Sequence, residues 1–251
     1  MASNQPGKCC TEGMLHKGQS TGKSIKIDNN IDAYIAIAPE GKAHKGIGIL
    51  YLSDVFGIWN NSKLMADQFA ANGYTTIIPD LFNGDVLPDP VPEGFDIMGW
   101  IYKGANGNNS HTPAQVDPIV IKAIEALKEQ GIIKIGAVGN CFGAKYVARN
   151  YKEGIDAGYV GHPSFISEVE LAAIAGPLSI AVAQTDNIFP AKLRHRSEEI
   201  LIKTGKPFQI NLFSGVEHGF AVRGYPNDPA QRFAKDQAFF QAVQWFNKYL
   251  A

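Results

Sequence analysis

Short, continuous apolar runs recur along this chain, and segments with helical spacing of apolar residues separate them. Uninterrupted runs of this kind are typical of strands that are covered on both faces of a sheet. They lie at 46–52, 74–79, 133–138, 157–161, 178–184 and 208–213. Strands that alternate with helices form a mainly parallel sheet with helices on both faces, joined by right-handed crossovers. The sequence therefore predicts an α/β fold.

Helices are predicted between these strands and after the last one. They are expected at 61–72, 113–130, from Phe142 onward, 167–174 and 192–203. A long C-terminal helix follows, in which apolar residues recur at helical spacing, as on the buried face of a helix. These residues are Phe233, Phe240, Val243, Phe246 and Leu250. No repeat, low-complexity linker or break interrupts the pattern, so we expect residues 1–251 to form a single domain.

Two regions differ from this alternation. The stretch KSIKIDNNIDAYIAIAP alternates apolar and polar residues around Asn29-Asn30, which predicts an antiparallel hairpin at the sheet edge, preceded by a packed arm at 1–22. The segment 82–112 is rich in glycine, proline and asparagine yet carries Trp100 and Tyr102. Long irregular loops in compact domains are usually functional or disordered. This segment is either a cap over a functional site or a surface excursion packed by its own aromatic residues.

The charge balance excludes several classes of partner. With 23 lysines and arginines against 24 acidic residues the net charge is −1, and no long basic run occurs, so neither nucleic acid nor an anionic membrane is an expected partner. A small, roughly neutral molecule is the better expectation. The N-terminus has no apolar leader core, no run of about 18 apolar residues occurs, and the three cysteines form no disulfide framework. We therefore expect reduced thiols and a cytoplasmic protein.

Reactive side chains follow five of the predicted strands. Ligands of open parallel sheets bind outside the carboxyl ends of the strands, so these side chains are expected to converge on one edge. They are Asp54, Cys141, His162, Asp186 and His218.

Cys141 lies in the stretch GNCFGAK, between a strand and a helix. Gly139-x-Cys141-x-Gly143 is the G-x-S-x-G nucleophile elbow with sulfur in place of oxygen, a turn in which small neighbours let strand and helix approach closely. A helix that begins at Phe142 would direct its free N–H groups at the sulfur and lower the pKa of the thiol. The alternative is a small buried packing residue, but the context of the turn favours a nucleophile.

The base and the orienting acid follow from their positions after later strands. His218 follows the last strand and is the preferred base, while His162 is expected to line the pocket. Asp186 follows the strand between nucleophile and base, although it could instead cap the next helix. The order Cys141, Asp186, His218 is the nucleophile, acid, base order of α/β-hydrolases. The remaining histidines are assigned to polar loops or an exposed helix face: His16, His44, His111 and His195.

Six motifs in the same order and at similar spacing make the chain resemble the dienelactone hydrolase family, particularly its fungal branch. They are YLSDVFG (51–57), IPDLFNGD (78–85), GNCFGAK (139–145), GHPSF (161–165), TDNIFP (185–190) and EHGFAVRG (217–224). The resemblance covers nearly the whole chain and implies an α/β-hydrolase fold with a Cys-His-Asp triad at Cys141, His218 and Asp186. It also implies an oxyanion hole formed by the backbone N–H groups of Val55 and Phe142.

The resemblance also shows where this sequence differs from its relatives. The family has a glutamate near the nucleophile, and Asp54 stands at that position, either tuning the thiol or capping the following loop. Bacterial relatives hold a substrate carboxylate with two arginines; Arg223 matches one, unless it forms a surface ion pair with Asp228. The other is missing, because no arginine precedes Arg149.

Three functions remain open at this point. The first is a hydrolase of lactones or activated esters that needs no cofactor; the second is a thioesterase or a lactone or ester hydrolase of secondary metabolism; the third is a small-molecule binding protein without chemistry. No metal is expected, because Cys9, Cys10 and His16 lack the spacing of a zinc site. A homodimer is compatible with the sequence.

Overall fold

The computed structural model describes residues 2–251, which contain one eight-stranded sheet of order β1-β2-β4-β3-β5-β6-β7-β8. All strand pairs from β4 to β8 are parallel, whereas β1 pairs with β2 and β2 with β4 in antiparallel fashion. The α/β-hydrolase fold with an N-terminal hairpin is thus confirmed. The strands are β1 (Lys23–Ile27), β2 (Ile31–Ala36), β3 (Ile47–Leu52), β4 (Thr75–Pro79), β5 (Lys134–Asn140), β6 (Ala157–Gly161), β7 (Leu178–Thr185) and β8 (Phe208–Glu217).

Helices connect the parallel strands and follow the last one. Two of them, α2 and α7, have no counterpart in the sequence predictions; both are short and lie among glycines and prolines. The helices are α1 (Asn60–Ala71), α2 (Ile97–Lys103), α3 (Pro113–Glu129), α4 (Phe142–Arg149), α5 (Glu168–Ala172), α6 (Ala191–Thr204), α7 (Phe220–Arg223) and α8 (Pro229–Tyr249).

The hairpin turn lies one residue earlier than predicted. Asp28 and Asn29 are the two residues with positive φ, at 50° and 62°, and the N–H of Asn30 donates to the carbonyl of Ile27. Two successive residues with positive φ match the right-handed twist of a tight hairpin, and short polar side chains tolerate that conformation.

Both faces of the sheet are buried, as the continuous apolar runs predicted. In β3, Leu50 and Leu52 point to the face covered by α2 to α6, while Ile49 and Tyr51 point to the face covered by α1 and α8. Each buried leucine or isoleucine side chain stabilises the fold by about 1.5–3 kcal/mol relative to an exposed one. The core therefore fixes the strand ends from both sides.

The predicted apolar face of α8 is partly wrong. Phe233 and Phe240 are 65% and 52% exposed, whereas Val243 and Phe246 are buried. The buried face is completed by alanines and by Phe239 and Trp245, which the spacing argument had not selected.

The N-terminal arm crosses the carboxyl edge of the sheet before it enters β1. Its first residues are hydrogen-bonded to the loops after β6 and β7: Ala2 N–H donates to Ile166 O at 3.1 Å, and Asn4 N–H donates to Ile188 O at 2.7 Å. Further along, Met14 N–H donates to Arg223 O at 3.0 Å. The intervening residues Lys8–Thr11 form a 3-10 turn. Within residues 2–251, no helix has both the length and the apolar character to cross a membrane.

Candidate active site

The turn between β5 and α4 places Cys141 at the N-terminal end of a helix. Cys141 has φ 51° and ψ −111°, a conformation that costs free energy for any residue with a side chain. The flanking glycines permit it, because a Cβ on Gly139 would lie 2.7 Å from the Gly143 carbonyl oxygen, and one on Gly143 would collide with the Leu52 carbonyl oxygen. The packing around Gly139 and Gly143 is too close for a larger residue at either position, and it holds the Cys141 sulfur at the strand end.

His218 and Asp186 are hydrogen-bonded to each other at the same edge of the sheet. The Nδ1 atom of His218 lies 2.9 Å from Oδ2 of Asp186, and both side chains are fully buried. The other carboxylate oxygen of Asp186 accepts from the N–H groups of Ile188 and Phe189 at 2.8 and 3.0 Å. The carboxylate is thereby fixed, which orients the imidazole with its Nε2 toward the sulfur atoms. Asp186 therefore does more than cap the next helix, which was the alternative interpretation of this residue.

Cys10 from the N-terminal arm contacts both Cys141 and His218. Its Sγ lies 3.2 Å from Cys141 Sγ and 3.5 Å from His218 Nε2, and it is completely buried. The sequence assigned this residue only to a packed arm. The only sequence signal for Cys10 was that it is one of three cysteines in the chain. No local pattern indicates a contact between residues 131 positions apart.

The charges of the three groups depend on one another. Burial alone would raise the pKa of the Cys141 thiol, but the hydrogen bond to Cys10 and the positive charge of His218 hold it well below its usual value. Burial alone would likewise lower the pKa of His218, but the Cys141 thiolate and Asp186 raise it to about 10. Burial and the neighbouring thiols raise the pKa of Cys10, which therefore stays a thiol. The favoured state is a thiolate–imidazolium pair beside a neutral thiol.

His162 and Ser164 complete the immediate surroundings of the sulfur. The His162 ring packs edge-on against His218 with 4.9 Å between centroids, and neither of its nitrogens has a hydrogen-bond partner among residues 2–251. Burial lowers the pKa of His162 to about 4, so this ring is neutral at physiological pH. The Oγ atom of Ser164 lies 3.7 Å from Cys141 Sγ. Ser164 was not predicted, although it lies in the GHPSF motif.

Asp54 and Arg223 form a buried ion pair next to this site. Nη1 of Arg223 lies 2.5 Å from Oδ2 of Asp54, while Oδ1 of Asp54 accepts from the N–H of Phe56 at 3.1 Å. The surface pair of Arg223 with Asp228 is wrong, because the arginine is only 1% exposed. Burial raises the pKa of Asp54, Arg223 opposes this change, and the negative Cys141 adds to it. The carboxylate thus both caps the loop and is electrostatically coupled to the sulfur.

The two backbone groups expected to bind an oxyanion are free of other partners. The N–H groups of Val55 and Phe142 donate to no acceptor within the described part of the chain. Phe142 is the first residue of α4, so its N–H has no acceptor within the helix. The close approach of Gly143 to Leu52 brings the start of this helix against the end of β3, three residues before Val55.

The two aromatic residues of the segment 82–112 have different environments. Trp100 is buried in α2, donates from Nε1 to Asp85 O at 3.1 Å, and packs on Phe82, which in turn contacts Phe142. Tyr102 is 53% exposed. His111, assigned to a polar loop, is buried against Trp100 with 4.3 Å between ring centroids. The segment therefore supports the helix that follows Cys141, and its function as a cap stays a prediction.

A cleft of about 300 Å³ opens beside His218. It is lined by polar side chains from the arm, the end of β8 and α7, including Glu12, Glu217, Arg223 and Tyr225. A larger groove of about 510 Å³ lies between β8 and α8, but no residue of the predicted triad lines it. Of the predicted triad, His218 alone lines the smaller cleft.

The same side chains could hold a soft metal ion. The donor atoms of Cys10, Cys141 and His218 lie within 4.8 Å of one another. Two thiolates on a tetrahedral zinc ion with Zn–S bonds of about 2.3 Å would be roughly 3.8 Å apart, whereas these sulfurs are 3.2 Å apart. The two sulfurs are therefore closer together than two ligands of one zinc ion would be.

An open, mostly parallel sheet with a strained cysteine turn after β5 defines an α/β hydrolase fold. Solved structures agree: the chain superposes on a dienelactone hydrolase of Klebsiella pneumoniae, described as putative, with a TM-score of 0.69 at 16% identity, covering 92% of this chain and 99% of that one. A dienelactone hydrolase-like phosphotriesterase from metagenomic libraries gives the same score at 15% identity.

The family model for dienelactone hydrolases matches residues 31–250, and the chain belongs to the dienelactone hydrolase family. It is 47% identical to the hydrolase pyvD of Aspergillus violaceofuscus, over 100% of this chain and 99% of that protein. It is 34% identical to dienlactone hydrolase 1 of Gibberella moniliformis, over 97% of this chain and 94% of that protein. The protein is a hydrolase that acts on esters or lactones, which favours the enzyme interpretations over a binding protein without chemistry.

Proposed function

We propose that this protein hydrolyses uncharged lactones or activated esters through a covalent thioester on Cys141. The observation that carries the proposal is the buried chain of contacts from Asp186 through His218 to the sulfurs of Cys10 and Cys141. A thiolate beside an imidazolium is the reactive form of a cysteine nucleophile.

Acylation begins with attack of the Cys141 thiolate on the substrate carbonyl. The developing oxyanion is bound by the free N–H groups of Val55 and Phe142, each of which contributes roughly 3 kcal/mol of transition-state stabilisation. The imidazolium of His218 then protonates the leaving alkoxide. Asp186 keeps the proton of Nδ1 in place, so that Nε2 is the atom that donates it.

Deacylation uses the same base in reverse. After the leaving group has gone, neutral His218 takes a proton from water, which attacks the thioester and releases the acid. No step requires a metal or an organic cofactor. The Cys10 thiol lies against both groups, 3.2 Å from Cys141 Sγ and 3.5 Å from His218 Nε2, and is not consumed in either step.

The charges of the cleft favour an uncharged substrate. Glu12 and Glu217 line it, and the guanidinium of Arg223 is committed to Asp54 and to the carbonyl of Glu12. A substrate carboxylate would therefore meet two acidic side chains and no free arginine. We expect kcat/KM to be lower for a carboxylated ester than for its uncharged analogue. A site that binds a substrate carboxylate would show the opposite difference.

Replacing Cys141 tests the assignment of the nucleophile. Hydrolysis of p-nitrophenyl acetate by Cys141→Ala should fall at least about 10³-fold, while the free energy of unfolding changes by no more than about 1 kcal/mol. Cys9→Ala is the matched control, because this half-buried thiol belongs to the same arm and should keep the wild-type rate. An active, folded Cys141→Ala enzyme would contradict the proposal.

A further inference from the structure

Cys10 is a buried thiol that the proposed hydrolysis does not use. Its sulfur touches the sulfur of Cys141 at 3.2 Å, and the three cysteines are all free. Its partner is a thiolate, the form that reacts with peroxides.

The position of Cys10 is fixed from both sides. The arm is hydrogen-bonded to the sheet edge before the cysteine by Asn4 and after it by Met14, and the N–H of Cys10 closes the 3-10 turn onto Gly7 O at 2.8 Å. Arg223 holds the backbone of this turn and of the residue after it, donating from Nη2 to Cys9 O at 3.4 Å and from Nε to Glu12 O at 2.8 Å. The contact between the two sulfurs is therefore held by backbone hydrogen bonds over the length of the arm.

We propose that Cys10 is a resolving cysteine, which forms a reversible disulfide with Cys141 when the enzyme meets hydrogen peroxide. A disulfide has an S–S bond of about 2.05 Å, so the sulfurs must approach by only roughly 1 Å. The bond would remove the nucleophile, close the arm over the site, and protect Cys141 from irreversible oxidation. The disulfide itself does not depend on the proposed function; only its effect on the rate does.

The first step oxidises Cys141. Its thiolate attacks one oxygen of the peroxide, an S–O bond forms, the O–O bond breaks, and the departing hydroxide takes the proton of the His218 imidazolium to leave as water. Cys141 is now a sulfenic acid and His218 is neutral. The negative charge that raised the pKa of His218 has gone, so the ring is ready to act as a base.

The second step uses Cys10. Nε2 of His218, 3.5 Å away, takes the proton of the Cys10 thiol. The resulting thiolate attacks the Cys141 sulfur, the S–S bond forms, the S–O bond breaks, and hydroxide leaves with the proton returned by His218. Two thiols and one peroxide have become one disulfide and two waters. A dithiol reductant reverses the result by thiol–disulfide exchange.

Cys9 serves as the matched control for Cys10. It is adjacent in sequence and its sulfur also lies near His218, but its side chain is only partly buried and, unlike Cys10, it has no hydrogen bond to Cys141 among the described residues. A bond between neighbours in sequence would need a distorted peptide unit, which makes Cys9 with Cys10 an unfavourable pair.

The test treats the full-length enzyme with one equivalent of hydrogen peroxide in the presence of a chelator, so that no thiophilic ion protects the thiols. Remaining thiols are alkylated, and the protein is digested without reduction. Mass spectrometry should find a peptide pair joined through Cys10 and Cys141. Turnover of p-nitrophenyl acetate should fall at least about tenfold in step with the linked fraction and return on treatment with dithiothreitol.

Variants distinguish a resolving cysteine from a bystander. Each variant is treated with excess peroxide, since the sulfinic acid consumes a second equivalent, and is compared with its own untreated rate. Cys9→Ser should recover on reduction as the wild type does, whereas Cys10→Ser should stay inactive because its Cys141 sulfenic acid reacts with a second peroxide to give the sulfinic acid. Absence of the linked peptide, linkage through Cys9 instead, or full recovery of Cys10→Ser would overturn the proposal. An enzyme with no esterase activity but with the linked peptide would refute the proposed function and leave the disulfide standing.

Discussion

The buried Cys141 thiol gains its charge from its neighbours and not from exposure. A charged sulfur without partners would be expensive in a site closed to water, yet the Cys10 thiol and the His218 imidazolium stabilise it. Asp186 in turn stabilises the imidazolium and is itself held by two backbone N–H groups. Each residue in this series of contacts therefore has a defined protonation state, and we propose that the Cys141 thiolate is the group that attacks a carbonyl.

The reactivity of Cys141 should depend only weakly on pH. A free thiol has a pKa of about 8.5 and loses reactivity about tenfold for each pH unit below it. Because the folded protein holds the pKa of Cys141 well below its usual value, the thiolate persists as the pH falls from 8.5 toward neutrality. The rate of alkylation by iodoacetamide, read site by site by mass spectrometry, should stay nearly constant over that range.

Glutathione measured in parallel supplies the control for reagent chemistry. A tenfold decrease per pH unit at Cys141, parallel to that of glutathione, would show that no thiolate–imidazolium pair exists. The pKa of His218, raised to about 10, places the loss of the imidazolium proton above the range measured.

Among the elements, the contact between α4 and β3 matters most for the chemistry. The start of α4 supplies both the strained cysteine and the free N–H of Phe142, and Gly143 lets it lie against the last residues of β3. Arg223 of α7 adds a second connection, since its guanidinium reaches Asp54 after β3 and two carbonyls of the arm. The arm, the loop after β3 and α7 are distant in sequence, and the buried Arg223 guanidinium connects all three.

Gly143→Ala should damage both stability and catalysis. Its Cβ would collide with the Leu52 carbonyl, a backbone atom that has no room to move within the sheet. We expect a loss of about 3 kcal/mol in the free energy of unfolding, measured by urea denaturation, and a lower kcat. Gly41→Ala is the control, because no atom lies within 4 Å of the added methyl. Equal stability and activity of the two variants would show that the close contact is unimportant.

Over the whole molecule, we expect the arm to limit access to the site. It spans the carboxyl edge of the sheet and places Cys10 against Cys141, while its first anchors are hydrogen bonds to the loops after β6 and β7. Removing residues 2–6 deletes those anchors but keeps both arm cysteines. Cys141 should then react with iodoacetamide several-fold faster, with little change in melting temperature, and an unchanged rate would mean that the arm does not limit access.

The sequence predicted the sheet well because both faces of its parallel strands are buried, which leaves uninterrupted apolar runs. It missed α2 because the residues around Trp100 lie among the glycines and prolines of a loop-like segment, and it misplaced the face of α8 because spacing alone selected Phe233 and Phe240. The order of Cys141, Asp186 and His218 was predictable because each residue directly follows a strand. The place of Cys10 was not, since only tertiary folding brings the arm to that edge.

A trapped acyl-enzyme tests the central claim most directly. The enzyme is mixed with excess p-nitrophenyl acetate, quenched in acid within the first turnovers, and digested for mass spectrometry, with Cys9→Ala treated in the same way. We predict one acetyl group per chain, located on Cys141 and sensitive to hydroxylamine as a thioester is. Acetyl groups elsewhere during full turnover, or none on Cys141, would contradict the assignment of this sulfur as the nucleophile.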